Sequence, residues 1–368
     1  MDLKGMRVAV IGGGIGGMAA ATALALRGGD VHVFEQAPAL EEVGAGLQIS
    51  ANGQAVLAAL GVELTGVSGS AGTEIQDGRT GRKVAFVPAP SAGPTWYVHR
   101  ADLLGALLVC AEKAGVSTVL DRLVTPGTIQ ADLIVAADGG QSIWRSTVDG
   151  PCSPRFTGQV AWRALVPAEA GQEAAAPSTL SMGSRAHVVT YPLRAAQLMN
   201  LVAVEERSSW SEEGWRQQGD VDEFRARFSD FKGPAGEIIA RVETVHLWAL
   251  HLRPVARHWW RDNIALLGDA AHPTLPFMAQ GACMALEDAW VLADALSRSD
   301  DLAASLALYQ RMRQKRAEQV VALARGNAMR FHLPRPWSWG AQAVLSVGAG
   351  ALARRLDWVY DYDATQVL

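Results

Sequence analysis

The stretch RVAVIGGGIGGMAAATALALRGGDVHVFEQ, residues 7–36, constrains the fold more than any other part of the chain. Val8, Ala9, Val10 and Ile11 form a short apolar run that ends in glycines, as a buried parallel strand does. The next segment, 15–27, is rich in Ala and Leu and predicts a helix, which Gly28-Gly29 ends. Val31-His32-Val33-Phe34 predicts a second strand with Glu35 at its tip and Gln36 beside it. Gly12, Gly14 and Gly17 therefore place GxGxxG between strand and helix, with Ile15 and Gly16 inside the turn. Gly12 allows the tight turn, Gly14 lets backbone approach a pyrophosphate, and Gly17 lets helix and strand pack closely. The helix start offers unpaired N–H groups and partial positive charge to phosphates. Glu35 follows at close to the ~20-residue spacing of a carboxylate on an adenosine ribose. A glycine-rich turn without a ligand is the alternative. Both strands, the helix and the acid in one unit argue against it. The acid also disfavours a 2′-phosphate, which leaves FAD or NAD rather than NADP.

A second ligand-facing segment, LLGDAAHPTLPFMAQGACMALEDAW, runs over 266–290. Residues 263–268 predict a strand, and Asp269 at its end could accept hydrogen bonds from hydroxyls. Gly281 and Ala282 start a helix whose N–H groups could face electron-rich oxygens. Taken singly, Asp269 could be a helix cap and Gly281 a turn residue. Taken together, and with the first unit, they fit a long ligand with phosphates at one end, a polyol in the middle and a carbonyl-bearing ring at the other. FAD has that shape. An NAD dehydrogenase without flavin would need only the first unit.

Composition narrows the rest. The 368 residues are 49% hydrophobic, enough for a large core and about two domains. The net charge of −4 and the lack of a long basic run give no reason to expect a nucleic acid. Cys110, Cys152 and Cys283 are widely spaced and form no CxxC pair, which fits a reducing cytoplasm. The N-terminus enters a strand at once and leaves no room for a signal peptide. No apolar run reaches the ~20 residues of a membrane helix. Residues 339–352 come nearest, end in Arg354-Arg355, and read as a buried or interface helix. His246, His251 and His258 are too irregular for a metal site, so no metal is expected.

With these motifs in place, the sequence resembles the class A flavoprotein aromatic hydroxylases, the group of the salicylate, 3-hydroxybenzoate and 6-hydroxynicotinate monooxygenases. The resemblance spans nearly the whole chain. It rests on GGGIGG at 12–17, EVGAGLQISANGQAVLAALG at 42–61, HRADLLGAL at 99–107, ADLIVAADGGQSIWR at 131–145, GQVAWRALVP at 158–167, YPLR at 191–194 and the 266–290 stretch. It implies that Asp269 binds the flavin ribitol and that the Gly281-Ala282 backbone donates to the flavin pyrimidine. It further implies that Arg100 approaches the diphosphate and ribose, and that Asp138-Gly139 links FAD with pyridine-nucleotide binding. From the residues alone, Arg100 could equally form a surface salt bridge, Asp138 an N-cap, and Gln48 an ordinary loop contact rather than a border of the ring. The segment 116–132 is shorter than the family's usual hairpin, which leaves its local architecture open.

The expected fold is α/β: a Rossmann-like FAD-binding domain (1–66, 96–154 and 259–330) interleaved with a β-sheet substrate domain (67–95 and 155–258), then a C-terminal helical segment (331–368). Strands are predicted over 160–166, 187–193 and 198–204, with a turn at 194–197 and a loop at 169–177. Segment 67–94 is expected to add strands to the same sheet. His187 and Tyr191 stand four apart on one strand and so share a face. They either close a sheet edge or face substrate; the resemblance implies the second, as the catalytic pair. It also implies FAD-dependent hydroxylation of a small phenolic or hydroxylated heteroaromatic acid with NAD(P)H and O2, through a flavin C4a-hydroperoxide. A phenolate accepts electrophilic oxygen far better than a phenol, so a neutral histidine base suits the task. Leu275, Pro276 and Phe277 would exclude water from the site, or merely pack. The alternatives are a flavin monooxygenase of a larger polyketide or quinone precursor, and a non-catalytic FAD-binding redox protein. The apolar residues beyond Phe331 leave room for a homodimer.

Overall fold

The computed structural model describes residues 3–40, 46–210, 217–334 and 337–367. Residues 1–2 at the chain start, 42–45 of the second motif, and 335–336 and 368 of the C-terminal segment lie outside the described residues.

The first unit folds as its sequence dictates. Arg7–Ile11 pairs in parallel with Asp30–Phe34 and with Leu133–Ala136, Val8 lying opposite both Val31 and Leu133. The six-stranded sheet runs in the order Trp260–Arg261, Ile264–Leu266, Leu133–Ala136, Arg7–Ile11, Asp30–Phe34, Ser117–Val119. Its central strands are buried on both faces, which explains their unbroken apolar runs. Helix Ile15–Ala25 packs between Arg100–Lys113 and Gly281–Ser297. Small residues make this possible: a Cβ on Gly16 would meet Leu267 and Ala285 at 2.9 and 3.1 Å. The shortened segment after Val116 forms the strand Ser117–Val119 and then a connection without a hairpin.

An eight-stranded sheet forms the second layer, in the order Gln217–Gln218, His246–Leu252, Arg155–Pro167, Leu198–Glu206, Ala186–Leu193, Ser178–Gly183, Gly72–Asp77, Lys83–Pro88. One face of Arg155–Pro167 (Val160, Trp162, Ala164, Val166) packs on Phe224, Phe228 and Ile238 of two short helices. Ala161 on the other face packs with Trp248, Leu275 and Phe277 toward the first sheet. Segment 67–94 divides between sheets. Gly72–Asp77 and Lys83–Pro88 join the large sheet, but Ser68–Ser70 pairs with Thr95–His99, which also pairs with Gly46–Ile49. The expectation of one shared sheet is corrected there: three residues end before the chain turns at Gly72, where φ is +155°.

Of the two placements expected for helix Trp337–Tyr360, buried or at an interface, the first is corrected. It is not buried; only Ala349 and Val359 are buried on it, while Trp337 is 72% and Val347 92% exposed. Its inner side packs through Leu345 and Ala349 on Ile75 and Ala85, roofing the large sheet. Beneath it lies a buried ionic network. Arg313 meets Glu287 at 2.6 Å and Asp288 at 2.7 Å, and Arg316 meets Glu287 at 2.8 Å. Arg316 also donates to the carbonyls of Trp358 and Val359 at 2.8 and 2.6 Å. No described helix is long and apolar enough to cross a membrane.

Candidate active site

The glycine loop is shaped by contacts that no side chain could survive. Gly12 has φ +106°, and a Cβ there would sit 2.5 Å from the Ala137 carbonyl. A Cβ on Gly17 would lie 1.9 Å from the carbonyl of Gly12. Gly14 differs, because a Cβ would meet nothing within 4 Å: its outer side is open to a cavity that Gly14, Ile15 and Gly16 line. The helix beyond starts at Ile15 with no side-chain cap, so its first N–H groups remain available to an anion. The Glu35 carboxylate accepts from the N–H of Gly13 at 2.7 Å and of Ala37 at 2.9 Å. It clamps the loop to the strand tip and keeps lone pairs for a hydroxyl. The half-buried Glu35 and the exposed Gln36 stand outside the residues that line the cavity.

One cavity of about 1880 Å³ runs from this loop across the edge of the first sheet and over the floor of the second. A single small-ligand pocket holds roughly 300–1,000 Å³, so there is room for a large cofactor and a second molecule. Gln48, Arg100, Asp269, Pro276, Gly281 and Ala282 line it together with His187 and Tyr191. Asp269 sits in the tight turn Gly268–Ala270 just past the strand Ile264–Leu266. Enclosure by the protein raises its carboxyl above the ordinary range, and His272 and Arg100 oppose the rise. Arg100 starts the helix Arg100–Lys113; burial lowers its guanidinium, and the charge of Asp269 opposes that. The turn bearing Asp269 is fastened from behind: Gly268 donates its N–H to Asp288 at 3.0 Å, and His272 hydrogen-bonds the same carboxylate. Helix Gly281–Ser297 begins with no side-chain cap, and a Cβ on Gly281 would touch only the Thr274 methyl, at 3.5 Å.

Asp138 braces the loop that follows it and does not cap the short helix Arg145–Asp149. Its Oδ2 accepts from Ile143 at 2.9 Å and Trp144 at 3.4 Å, while Oδ1 is buried without a hydrogen-bond partner and burial pushes the carboxyl up. The cavity edge itself is made by Gly139, Gly140 and Gln141.

The register of the large sheet explains the rest. His187, Val189 and Tyr191 all face the cavity, as a period of two requires. Val189 lies opposite Val202, which lies opposite Arg163, while His187 lies opposite Val204 and Tyr191 opposite Asn200. His187 and Tyr191 thus flank the row of Val189, Val202 and Arg163, about 13 Å apart along the strand, so a flat ring fits between them. His187 is 2% exposed, and the rings of Phe277 and Phe331 meet its imidazole edge at 5.3 and 5.2 Å. Burial, then the neighbouring His332, holds its pKa well below the ordinary value. Tyr191 stacks on Tyr97 at 4.9 Å, and burial raises its phenol, with Arg163 opposing.

Sequence reading missed Arg163 and His332. Arg163 lies over the Trp248 ring at 4.3 Å, and burial brings it down to about 10. Its signal was available: a charged residue at a cavity-facing position of an apolar strand. His332 bonds His187 at 2.7 Å from the far end of the chain, and no local pattern announces it.

Uncapped helix starts at both ends, an open glycine and an inward carboxylate form the cradle expected for FAD. A family model described as an FAD binding domain matches residues 105–324, and one described as an NAD(P)-binding Rossmann-like domain matches 10–40. A 3-amino-4-hydroxybenzoate 2-monooxygenase of Streptomyces platensis is 33% identical, over 98% of this chain and 97% of its own. A 3-hydroxybenzoate 6-hydroxylase of Klebsiella oxytoca is also 33% identical, over 89% of each. A salicylate hydroxylase solved with its substrate superposes with a TM-score of 0.80 at 26% identity, over 98% of this chain and 96% of that one. Domain, cradle and relatives agree, and the chain belongs to the FAD-dependent aromatic hydroxylases.

Proposed function

We propose that the protein hydroxylates a small phenolic or hydroxylated heteroaromatic acid, using NAD(P)H and O2, with His187 as the base that ionises the substrate hydroxyl. The observation that carries this is a buried histidine on the cavity floor, continuous with the FAD cradle and walled by Leu275 and Phe277. Bound FAD, reduced by NAD(P)H, supplies the activated oxygen. The protein's part is to present an electron-rich ring and keep water away. With its pKa held down, His187 is neutral near pH 7 and can accept a proton. Six arginines and two aspartates line the cavity, a balance that favours an anionic substrate even after a diphosphate is accommodated. Tyr191 orients the ring from the opposite end, beside Arg163. Gly12, Gly14, Gly17 and Glu35 hold the adenosine half, Arg100 approaches the diphosphate and ribose, and Asp269 with the Gly281-Ala282 amides holds the flavin half. The cavity volume supports a second reading, a larger aromatic substrate that reaches past His187.

The test is a screen of phenolic and pyridine carboxylates for stimulated NADH and NADPH consumption, with labelled dioxygen traced into product. Consumption without a labelled product would defeat the hydroxylase reading. Stimulation only by bulky polycyclic phenols would favour the larger substrate. A second copy of the chain is proposed to cover the apolar outer side of Trp337–Tyr360.

A further inference from the structure

We infer that His187, His332 and Glu206 form a proton relay that carries the substrate hydroxyl's proton from the buried base to the protein surface. The inference rests on the reading of His187 as the base and adds the route the proton takes.

The geometry is a continuous line of hydrogen bonds. His187 Nδ1 lies 2.7 Å from His332 Nε2, and His332 Nδ1 lies 3.2 Å from Glu206 Oε1. Both imidazoles are buried, at 2% and 3% exposure, whereas Glu206 is exposed and its other oxygen meets Arg185 at 3.0 Å. His332 is held from both sides: its N–H donates to the Met329 carbonyl, and its carbonyl accepts from the Arg185 N–H. The charged side chains near the line are Arg185, on the turn before Ala186–Leu193, and Arg330, at the end of Leu302–Arg330. The strand Arg155–Pro167 contributes Gln159, and the Pro276–Met278 turn contributes Phe277.

Proton positions follow from the end of the line. An ionised carboxylate only accepts, so His332 Nδ1 carries a hydrogen toward Glu206. His332 Nε2 then holds a lone pair and accepts from His187 Nδ1–H. His187 Nε2 is left with a lone pair and, among the described residues, without a hydrogen-bond partner. That nitrogen is the one a substrate hydroxyl can use. On reaction the substrate O–H breaks and an N–H forms at His187 Nε2. The Nδ1 hydrogen of His187 passes to His332 Nε2, and the Nδ1 hydrogen of His332 passes to Glu206. Three protons move one step each, a phenolate and a neutral Glu206 result, and water takes the last proton from the exposed carboxyl. His187 and His332 both end neutral, and the only charge left beside them is that of the phenolate. This answers the difficulty of a base whose burial disfavours its own cation.

Gln159 gives the line a competing state. Its Nε2 donates to the Ala328 carbonyl and also stands 3.2 Å from His332 Nδ1. Donation there requires the opposite tautomer, with hydrogen on His332 Nε2 and on His187 Nε2, and the base is then blocked. The charge on Glu206 selects the competent state.

The test uses FAD-loaded protein with three kinetic variants, Glu206→Gln, His332→Gln and His187→Gln, and with Glu206→Ala for the tautomer and for rescue. Histidine-ring 15N NMR, assigned with the two histidine variants, should show a bare Nε2 on His187 in the wild type. In Glu206→Ala, where no side-chain acceptor remains opposite Gln159, the hydrogen should move onto that nitrogen. Anaerobic mixing with 3-hydroxybenzoate and bulkier phenols as probes, followed by phenolate absorbance, should be at least roughly tenfold slower in Glu206→Gln and His332→Gln. FAD content should be unchanged, and added formate should partly restore Glu206→Ala. An unchanged His187 tautomer in Glu206→Ala overturns the relay, whatever the probe. Wild-type ionisation in Glu206→Gln and His332→Gln with slow ionisation in His187→Gln also overturns the relay but leaves the base in place. Wild-type ionisation in all three variants removes the base and the relay together.

Discussion

The two ends of the cavity are built on different principles. The adenosine end is backbone: three glycines, an uncapped helix start and one clamping carboxylate, nearly all within residues 12–35. The substrate end is side chain: His187, Tyr191 and Arg163 come from two strands of one sheet, Phe277 from a loop of the FAD half, and Phe331 and His332 from the segment after the longest helix. Local backbone sites tolerate almost no change in the residues that make them. Sites assembled from distant side chains can lose one member and keep the fold. The first kind conserves a cofactor, and the second lets the ring that is hydroxylated vary.

Substitutions can break or sharpen this contrast. The largest effect is expected for Gly17→Val: its Cβ alone would stand 1.9 Å from a carbonyl. The purified variant should be colourless or insoluble, and a yellow, folded product would refute the backbone argument. His187→Gln should keep its FAD and lose ~10²–10⁴-fold in hydroxylation rate, as measured by product formation per NADH consumed. Asp269→Asn should weaken FAD binding roughly tenfold to a hundredfold, the loss expected when charge-assisted hydrogen bonds become neutral. Fluorescence titration of the apoprotein measures it.

A smaller effect concerns the network behind the Asp269 turn. Burial alone would raise the Glu287 and Asp288 carboxyls. Arg313, with Arg316 at Glu287 and His272 at Asp288, overrides it and holds both below their ordinary range. Their stabilisation is therefore present above the unfolded value near ~4 and is lost as pH falls from there through the depressed folded values. Thermal unfolding of the holoenzyme should show a melting temperature that drops below about pH 4, and less steeply in Asp288→Asn. The smallest change should come from Val347→Lys, at a position 92% exposed: FAD content and turnover unchanged, and a shift to monomer by light scattering if copies pair through this helix.

How much was legible follows the same division. Gly12, Gly14 and Gly17 could be read because turn, approach and packing each leave a glycine at a fixed offset. Asp269 and Gly281 were legible because a strand tip and a helix start are local events. His187 and Tyr191 were placed on one face by period alone, but their neighbours were not. That Arg163 shares a row with Val189 depends on the register of three strands, which no single segment encodes. His332 and the Glu287–Arg313 pair were missed for the same reason. For helix Trp337–Tyr360 the sequence left burial and an interface as alternatives; its Trp and Val residues read as core, but most of them stand on the outer side, and Leu345 and Ala349 make the inner contact.

Arg316 fastens the carbonyls of Trp358 and Val359 to the helix pair behind Asp269. A chain leaving the ribosome displays its glycine loop some three hundred residues before this knot. The nascent protein can fold its first βαβ unit long before it can grip the flavin ring. Loss of the segment that carries Trp358 and Val359, by truncation or frameshift, would then leave a polypeptide with a recognisable nucleotide fold and a loosened hold on its pigment.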